Sequence, residues 1–366
     1  MVYRAIGLMS GSSLDGLDIV FTEIQEMGGK WGYEILEAGC YSYSDEWVAR
    51  LKKATSLTAL DYQLLHVEYG HYLGEEVNRF IEQHQLQYKV ALVVSHGHTA
   101  FHIPAKKMTA QLGDGAAIAA TTRLPVVSDL RAMDIALSGQ GAPIVPIGEK
   151  LLFSDYDYFL NIGGIANISF NADQYLAFDV CLANQVLNML AANAGKEFDE
   201  EGKIGASGIL NNDLLEKLND LNYYQKGYPK SLDNDFGTDI VYPLIKDAGS
   251  DIADALRTYT EHIAIQIKNA IAKHSQLPTA IPIAIGSQLL ITGGGAFNTF
   301  LIERLKDQLK ELNIEVIIPD DKLVKYKEAV VMALIGVLRW REETNVFSSV
   351  TGAKRDSVGG AMWMGH

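Results

Sequence analysis

Short continuous apolar runs alternate with stretches whose apolar residues recur every three or four positions. Two apolar-rich runs, 3–8 and 17–24, flank a turn of Gly and Ser and predict a hairpin, to which 34–43 adds a third strand. Over 61–84, Leu64, Leu65, Val67, Tyr72, Leu73, Val77 and Phe80 fall near a 3.6-residue period and predict a helix. The unbroken apolar run 90–94 reads as a buried parallel strand, followed by a helix over 114–121 and a strand over 125–128. Near Tyr156 the pattern restarts. Runs at 158–162, 166–170 and 175–178 repeat the opening three-strand meander, and 184–194 reads as helical. A long amphipathic helix over 254–273 then leads to strand 288–292, helix 299–312, strand 315–318 and helix 327–340.

The restart predicts an α/β protein of two similar halves, each a mixed sheet flanked by helices. The expected division is 1–145 and 146–366, inside the Gly- and Pro-rich stretch 139–154. The repeat lies in the order of elements, because the two halves share little sequence.

Each predicted meander or late strand leads into a Gly-rich loop: Met9-Ser10-Gly11-Ser12-Ser13-Leu14-Asp15-Gly16-Leu17-Asp18, then Asn161-Ile162-Gly163-Gly164-Ile165-Ala166-Asn167, then Ile291-Thr292-Gly293-Gly294-Gly295. Turns of this kind leave backbone N–H groups uncovered, so they form nests for phosphate oxygens. Three of them suggest a nucleotide held from several sides. None contains Lys, so backbone donors, hydroxyls and a metal ion must balance the phosphate charge. Asp15 and Asp18 are candidates to orient Mg²⁺ through its water shell. Asp also stabilises turns through its own backbone, which is the simpler reading of both.

Composition narrows the choices. The 366 residues are 48% hydrophobic and 21% charged, enough for two ordinary domains with full cores. A formal net charge of −14 argues against nucleic acid and anionic membrane as partners. No apolar run is long enough to cross a bilayer, and no basic segment followed by an apolar stretch opens the chain. The two cysteines, Cys40 and Cys181, show no disulfide or metal spacing, and the expected location is the cytoplasm. His96, His98 and His102 have no Cys or second acidic ligand at zinc spacing nearby, so no metal-ligating side chain is assigned.

Longer motifs follow in a fixed order: Gly7 to Gly16, Ser95-His96-Gly97-His98-Thr99, Asp129-Leu130-Arg131, Gly139-Gln140-Gly141-Ala142-Pro143, Asn161 to Asn167, the triple-Gly loop and Thr351-Gly352-Ala353. Together they resemble the anhydro-N-acetylmuramic acid kinase family, within the actin, hexokinase and heat-shock chaperone ATPase superfamily. The resemblance runs over nearly the whole chain. It implies two RNase-H-like domains with ATP in the cleft between them, and a homodimer. It also implies a reaction: ATP and water convert 1,6-anhydro-N-acetylmuramic acid to N-acetylmuramic acid 6-phosphate and ADP in cell-wall recycling.

By that resemblance Asp179 is the catalytic base, taking a proton from water as it attacks the anomeric carbon. Gly11, Ser12, Ser13, Leu14, Asp15, Gly16, Leu17, Asp18, Gly163, Gly164 and Gly293–Gly295 would contact ATP. Gly97, His98, Thr99, Asp129, Arg131, Asn184 and Glu328 would line the sugar site, with Arg131 offering a fork for the lactyl carboxylate. The chain departs from the family after Asp179, where Val180-Cys181-Leu182-Ala183 replaces the usual Thr-Gly-Pro-Gly before Asn184. His98 stands where the family has Gln. Lys230 lies in a retained Pro-Lys-Ser core but stays outside the catalytic set. Two alternatives remain at this point: a related kinase with an ordinary hydroxyl acceptor, and an inactive nucleotide-binding regulator.

Overall fold

Three strands of 9 to 12 residues at the start of the chain pair as a meander, with the middle of the first two buried and the third, at the sheet edge, only half-buried. In the computed structural model these are β1 (Val2–Ser10), β2 (Leu17–Met27) and β3 (Lys30–Tyr41), successive and antiparallel. The structure describes residues 1–11, 14–172, 175–227, 230–232, 235–275, 283–284 and 286–365. The chain divides into two compact units, Met1–Phe153 with Tyr326–His366, and Ser154–Lys325.

In the first unit β4 (Leu92–Ser95) pairs parallel with β1. A hairpin of β5 (His98–Ile103) and β6 (Met108–Leu112) follows, and then β7 (Val126–Ser128) pairs parallel with β4. All four β4 residues are buried, as their continuous apolar character predicts. Helix Ala59–Gln83 turns Leu65, Tyr69, Leu73, Val77 and Phe80 inward, near one 3.6-residue stripe, onto the apolar side chains of β1 and β2.

The second unit repeats the arrangement. β8 (Tyr158–Ile162), β9 (Ile165–Phe170) and β10 (Leu176–Leu182) form the meander. β11 (Ser287–Thr292) and β12 (Ile314–Ile317) extend it in parallel on the β8 side. The orders β3-β2-β1-β4-β7 and β10-β9-β8-β11-β12 are the same. This is the doubled arrangement of two similar halves that the restart of the pattern predicts. Helix Ile252–His274 forms the centre of this unit's core through Leu256, Tyr259, Ile263, Ile267 and Ile271.

Two features differ from the expected division at 145/146. The first unit extends to Phe153, and Tyr326–His366 returns to it. The return has two causes. Strand Ala361–Trp363 adds an antiparallel edge beside β7. The residues of helix Asp321–Trp340 around Ala329 lie directly on β1 at Gly7, where an added Cβ would stand 1.9 Å from the Ala329 carbonyl oxygen. Gly7 therefore lets helix backbone touch strand backbone. That contact also sets Glu328 beside the loop that β1 feeds.

Gly7→Ala should destabilise the chain by about 3 kcal/mol or more, because the obstacle is backbone that cannot rotate away. Urea unfolding of the native and variant chains checks it. An unchanged midpoint would mean that the strand and helix are not in contact.

Candidate active site

The sheet order places the chemistry-bearing loops of each unit at the carboxyl ends of its parallel strands, where open α/β sheets carry ligands. In the second unit, Gly163-Gly164 turns β8 into β9. Its carbonyls accept hydrogen bonds from Ala183, Asn184 and Gln185 at the start of helix Asn184–Ala192. Asn184 also donates through Nδ2 to the Ile162 carbonyl at 3.3 Å. Gly293 ends β11 with φ +84°, and a Cβ there would meet Asn161 Oδ1 at 2.6 Å and the Ile162 carbonyl oxygen at 2.8 Å. Two of the three predicted Gly loops thus converge with Asn161 and Asn184 at one edge of this sheet.

Register then builds a polar row. Thr292, Asn161, Asn167 and Asp179 are successive cross-strand partners on β11, β8, β9 and β10, so their side chains share a face. Thr292 Oγ1 is buried without a partner among the described residues. Asp179 ends the row. Its Oδ1 accepts from Asn167 Nδ2, and its Oδ2 accepts from Leu232 N at 2.9 Å and Ser231 Oγ at 3.1 Å. Tyr223 donates to its main-chain oxygen at 2.6 Å. A bulge follows, between Asp179 and Cys181, so β10 kinks where the Thr-Gly-Pro-Gly turn is missing. Cys181 is fully buried and its thiol is pushed up to about 12 by that burial, which makes it an inert core side chain.

The first unit carries two further clusters. In one, Arg131 donates through Nε to His96 Nε2 at 2.9 Å and through Nη1 to the Gly141 carbonyl at 2.5 Å. His96 Nε2 must accept there, so its proton sits on Nδ1 and donates to the Gly97 carbonyl at 2.8 Å. Burial, with the Arg131 charge beside it, pushes His96 down to about 3 and keeps it neutral. Neither Asp129 nor Asp134 is ion-paired with Arg131 among the described residues. Asp134, fully buried, instead accepts from Gly141 N at 2.7 Å and Thr351 Oγ1 at 2.7 Å, joining two of the sequence motifs. Asp129 is exposed with φ +55° and accepts from Ser128 at 2.7 Å.

In the other cluster, Tyr69, Tyr43, Ser10 and His98 form a buried chain of hydrogen bonds. Tyr43 lies 2.6 Å from Tyr69 and donates to Ser10 Oγ at 2.8 Å, and Ser10 meets His98 Nδ1 at 3.1 Å. Ser10 is the last residue of β1, so His98 is tied to the start of the first Gly loop. Thr99, by contrast, is exposed and touches Gln111 at 3.4 Å. Of the first loop, Ser12 and Ser13 lie outside the described residues. Leu14 has φ +59°, and Leu17 points into the core with only its backbone at the loop. Asp15, Asp18 and Glu328 interact as like charges. Burial pushes Asp18 up to about 6, and burial also raises Glu328 against the opposing charges of Lys327 and Arg131.

The residues absent from the sequence-based set are Asn167, Ser231, Tyr223, His96 and Ser10. Asn167, His96 and Ser10 lie inside the motifs, and for Asn167 its place opposite Asp179 in the predicted meander was the available signal. For Ser231 and Tyr223 no local signal exists.

The chain matches the family model described as anhydro-N-acetylmuramic acid kinase over residues 3–365. A relative of that name from Francisella tularensis subsp. novicida is 32% identical over 375 residues, covering 95% of both chains. Another from a Sulfurovum species is 31% identical over 374 residues, covering 99% of both. Among solved structures, an activator of the 2-hydroxyisocaproyl-CoA dehydratase from Clostridium difficile with bound ADPNP aligns with TM-score 0.42 and 14% identity. That alignment covers 90% of this chain and 93% of the other.

The Asp18 value sets a pH dependence. Its folded value of about 6 exceeds the ordinary 3.8, so the folded chain holds this proton more tightly than the unfolded one. The resulting stability is complete below 3.8 and lost as pH rises through about 6. Asp18→Asn should therefore gain stability relative to the native chain across that interval and hold the gain above it. Thermal unfolding of both chains from pH 4 to 8 measures the difference, and a gain that ran the other way would contradict the burial argument.

Proposed function

The chain belongs to the anhydro-N-acetylmuramic acid kinase family, and from that premise we propose how its residues divide the work. The enzyme is an ATP-dependent sugar kinase. Water opens the 1,6-anhydro bridge, and the freed 6-oxygen takes the γ-phosphoryl group of ATP, giving N-acetylmuramic acid 6-phosphate and ADP.

The observation that carries the assignment of roles is the carboxylate of Asp179. Three donors fix its plane, two on Oδ2 and one on Oδ1. A carboxylate offers about four acceptor positions, so one position on Oδ1 stays open for the hydrogen of a water molecule. Asp179 takes that proton as the water oxygen bonds to the anomeric carbon and the bond to the bridging oxygen breaks. The released 6-oxygen then attacks the γ-phosphorus, with ADP as leaving group. Thr292, Asn161 and Asn167 extend a polar surface from the base along the same sheet face.

In the first unit, Gly11, Ser12, Ser13, Leu14, Asp15, Gly16, Leu17 and Asp18 serve the ATP phosphates, as do Gly163, Gly164 and Gly293–Gly295 in the second. Asp15 and Asp18 would orient Mg²⁺ through its water shell, since among the described residues no three carboxylates are grouped closely enough to ligate it directly. When bound, Mg²⁺ neutralises charge on the phosphates. His98, held by Ser10, and Gly97, Thr99, Asp129, Asn184 and Glu328 serve the sugar. Arg131 serves its lactyl carboxylate. Its Nε and Nη1 are engaged, while Nη2 has no partner among the described residues. The guanidinium is fixed on neutral His96 rather than in an ion pair. We place the enzyme in the cytoplasm as a homodimer; among the described residues no helix is long and apolar enough to cross a membrane.

Asp179→Asn should lower kcat for the anhydro sugar about 10²–10⁴-fold while ATP still binds. In ¹⁸O-water the native product should carry the label at the anomeric carbon; unlabelled product would indicate transfer to a hydroxyl already present. Sedimentation equilibrium should give twice the 40.2 kDa chain mass, and a single-chain mass would refute the homodimer.

A further inference from the structure

The segment that supplies both donors to Asp179 Oδ2 is remote in sequence, on residues 231 and 232, and Lys230 immediately precedes it. The Lys230 ammonium lies 4.5 Å from the ring centre of Tyr223, 5.7 Å from that of Phe178 and 6.0 Å from that of Tyr224. No carboxylate forms an ion pair with it among the described residues. Tyr223 has a second task, since its hydroxyl donates to the main-chain oxygen of Asp179. Tyr224 is itself fixed. Its hydroxyl meets His262 Nε2 at 3.0 Å, while His262 Nδ1 donates to Asn219 Oδ1 at 2.7 Å. The aromatic seat is therefore anchored to the central helix Ile252–His274, and through Tyr223 to the strand that carries Asp179.

We propose that Lys230, Ser231 and Leu232 form a clasp that positions the base: Lys230 seats the segment on Tyr223 and Tyr224, and Ser231 and Leu232 hold Asp179 Oδ2. The proposal rests on the reading of Asp179 as the base.

The clasp answers a geometric need. Asp179 stands beside a bulge, where ladder pairing stops dictating the direction of a side chain. Asn167 restrains only Oδ1, and one donor leaves the carboxylate free to rotate about its axis. Two donors on Oδ2 stop that rotation and occupy that oxygen. The open acceptor position is then confined to Oδ1. Cation–π attraction suits the anchoring role, because it holds a charged residue in place without adding an anion next to the base. Burial, together with the charge of Lys273, lowers the Lys230 ammonium from its ordinary value, opposed in part by the charge of Asp179.

None of these groups touches substrate in this scheme, so they are positioning residues. Steady-state kinetics of Ser231→Ala, Ser231→Thr, Lys230→Met and Asp179→Asn in the full chain tests the clasp. Ser231→Ala and Lys230→Met should each lower kcat by about tenfold or more, because small misplacement of a catalytic group is costly. KM for the sugar and for ATP should change by less than about twofold in both. Ser231→Thr keeps the hydroxyl and should recover most of kcat. A purely structural role would lower thermal stability alike in Ser231→Ala and Ser231→Thr and leave no kcat difference between them. Native kcat in Ser231→Ala and Lys230→Met beside an inactive Asp179→Asn would overturn the clasp and leave the base standing. Native kcat in Asp179→Asn would overturn both.

Discussion

A carboxylate that is to accept a proton from water has to be aimed, and it has to keep one lone pair unoccupied. Four groups of the second unit hold Asp179 in a way that suits the proposed base. Asn167 reaches it along the sheet, the 231–232 segment reaches it from outside the sheet, and Tyr223 fixes its backbone. Behind the strand, Tyr259 on the central helix donates to the Leu182 carbonyl at 3.0 Å, so the stretch after the bulge is pinned to the core. The missing Gly and Pro of the family turn are thus answered by a continued, kinked strand held from both sides.

The first unit meets a different demand, which is to keep charge in reserve. An isolated ionised group is costly to bury, so the molecule arranges partners of chosen charge state. Arg131 rests on a neutral imidazole and a carbonyl and forms no ion pair among the described residues, while the charges of Glu328 and Asp134 act on it from nearby. Burial raises both Asp18 and Glu328, and at Asp18 the charges of Asp15 and Glu328 add to it. A nearby buried ion pair, Lys327 with Glu149 at 2.9 Å, anchors the start of the returning helix beside them. Its two members stand 178 residues apart in sequence. In a chain of formal charge −14, such local groupings decide where an anion is welcome.

The doubled architecture was legible in the chain because periodicity follows burial, and burial is dictated element by element. Helix Ala59–Gln83 and strand β4 fall where their apolar patterns place them. The short strand Ala361–Trp363 was not legible, since three residues carry no period and its partner lies over two hundred positions earlier. For the same reason the return of Tyr326–His366 to the first unit, decided by contact at Gly7, was invisible to a linear reading.

The site divides along the same line. Glycines at 293 and 295 could be read directly, because only a residue without a side chain fits so close to Asn161 and Ile162, whereas a Cβ at 163, 164 or 294 would meet only ordinary contacts. Asp179 and Arg131 could be picked out by motif order. The sequence by itself therefore determined the main elements, their order and the Gly loops, all of which depend on near neighbours. Tertiary structure alone decided what each polar group meets: Asn167 opposite Asp179, Arg131 on His96 and Ser231 on Oδ2. Hydrogen bonds act over about 3 Å whatever the separation along the chain, and only folding sets that distance.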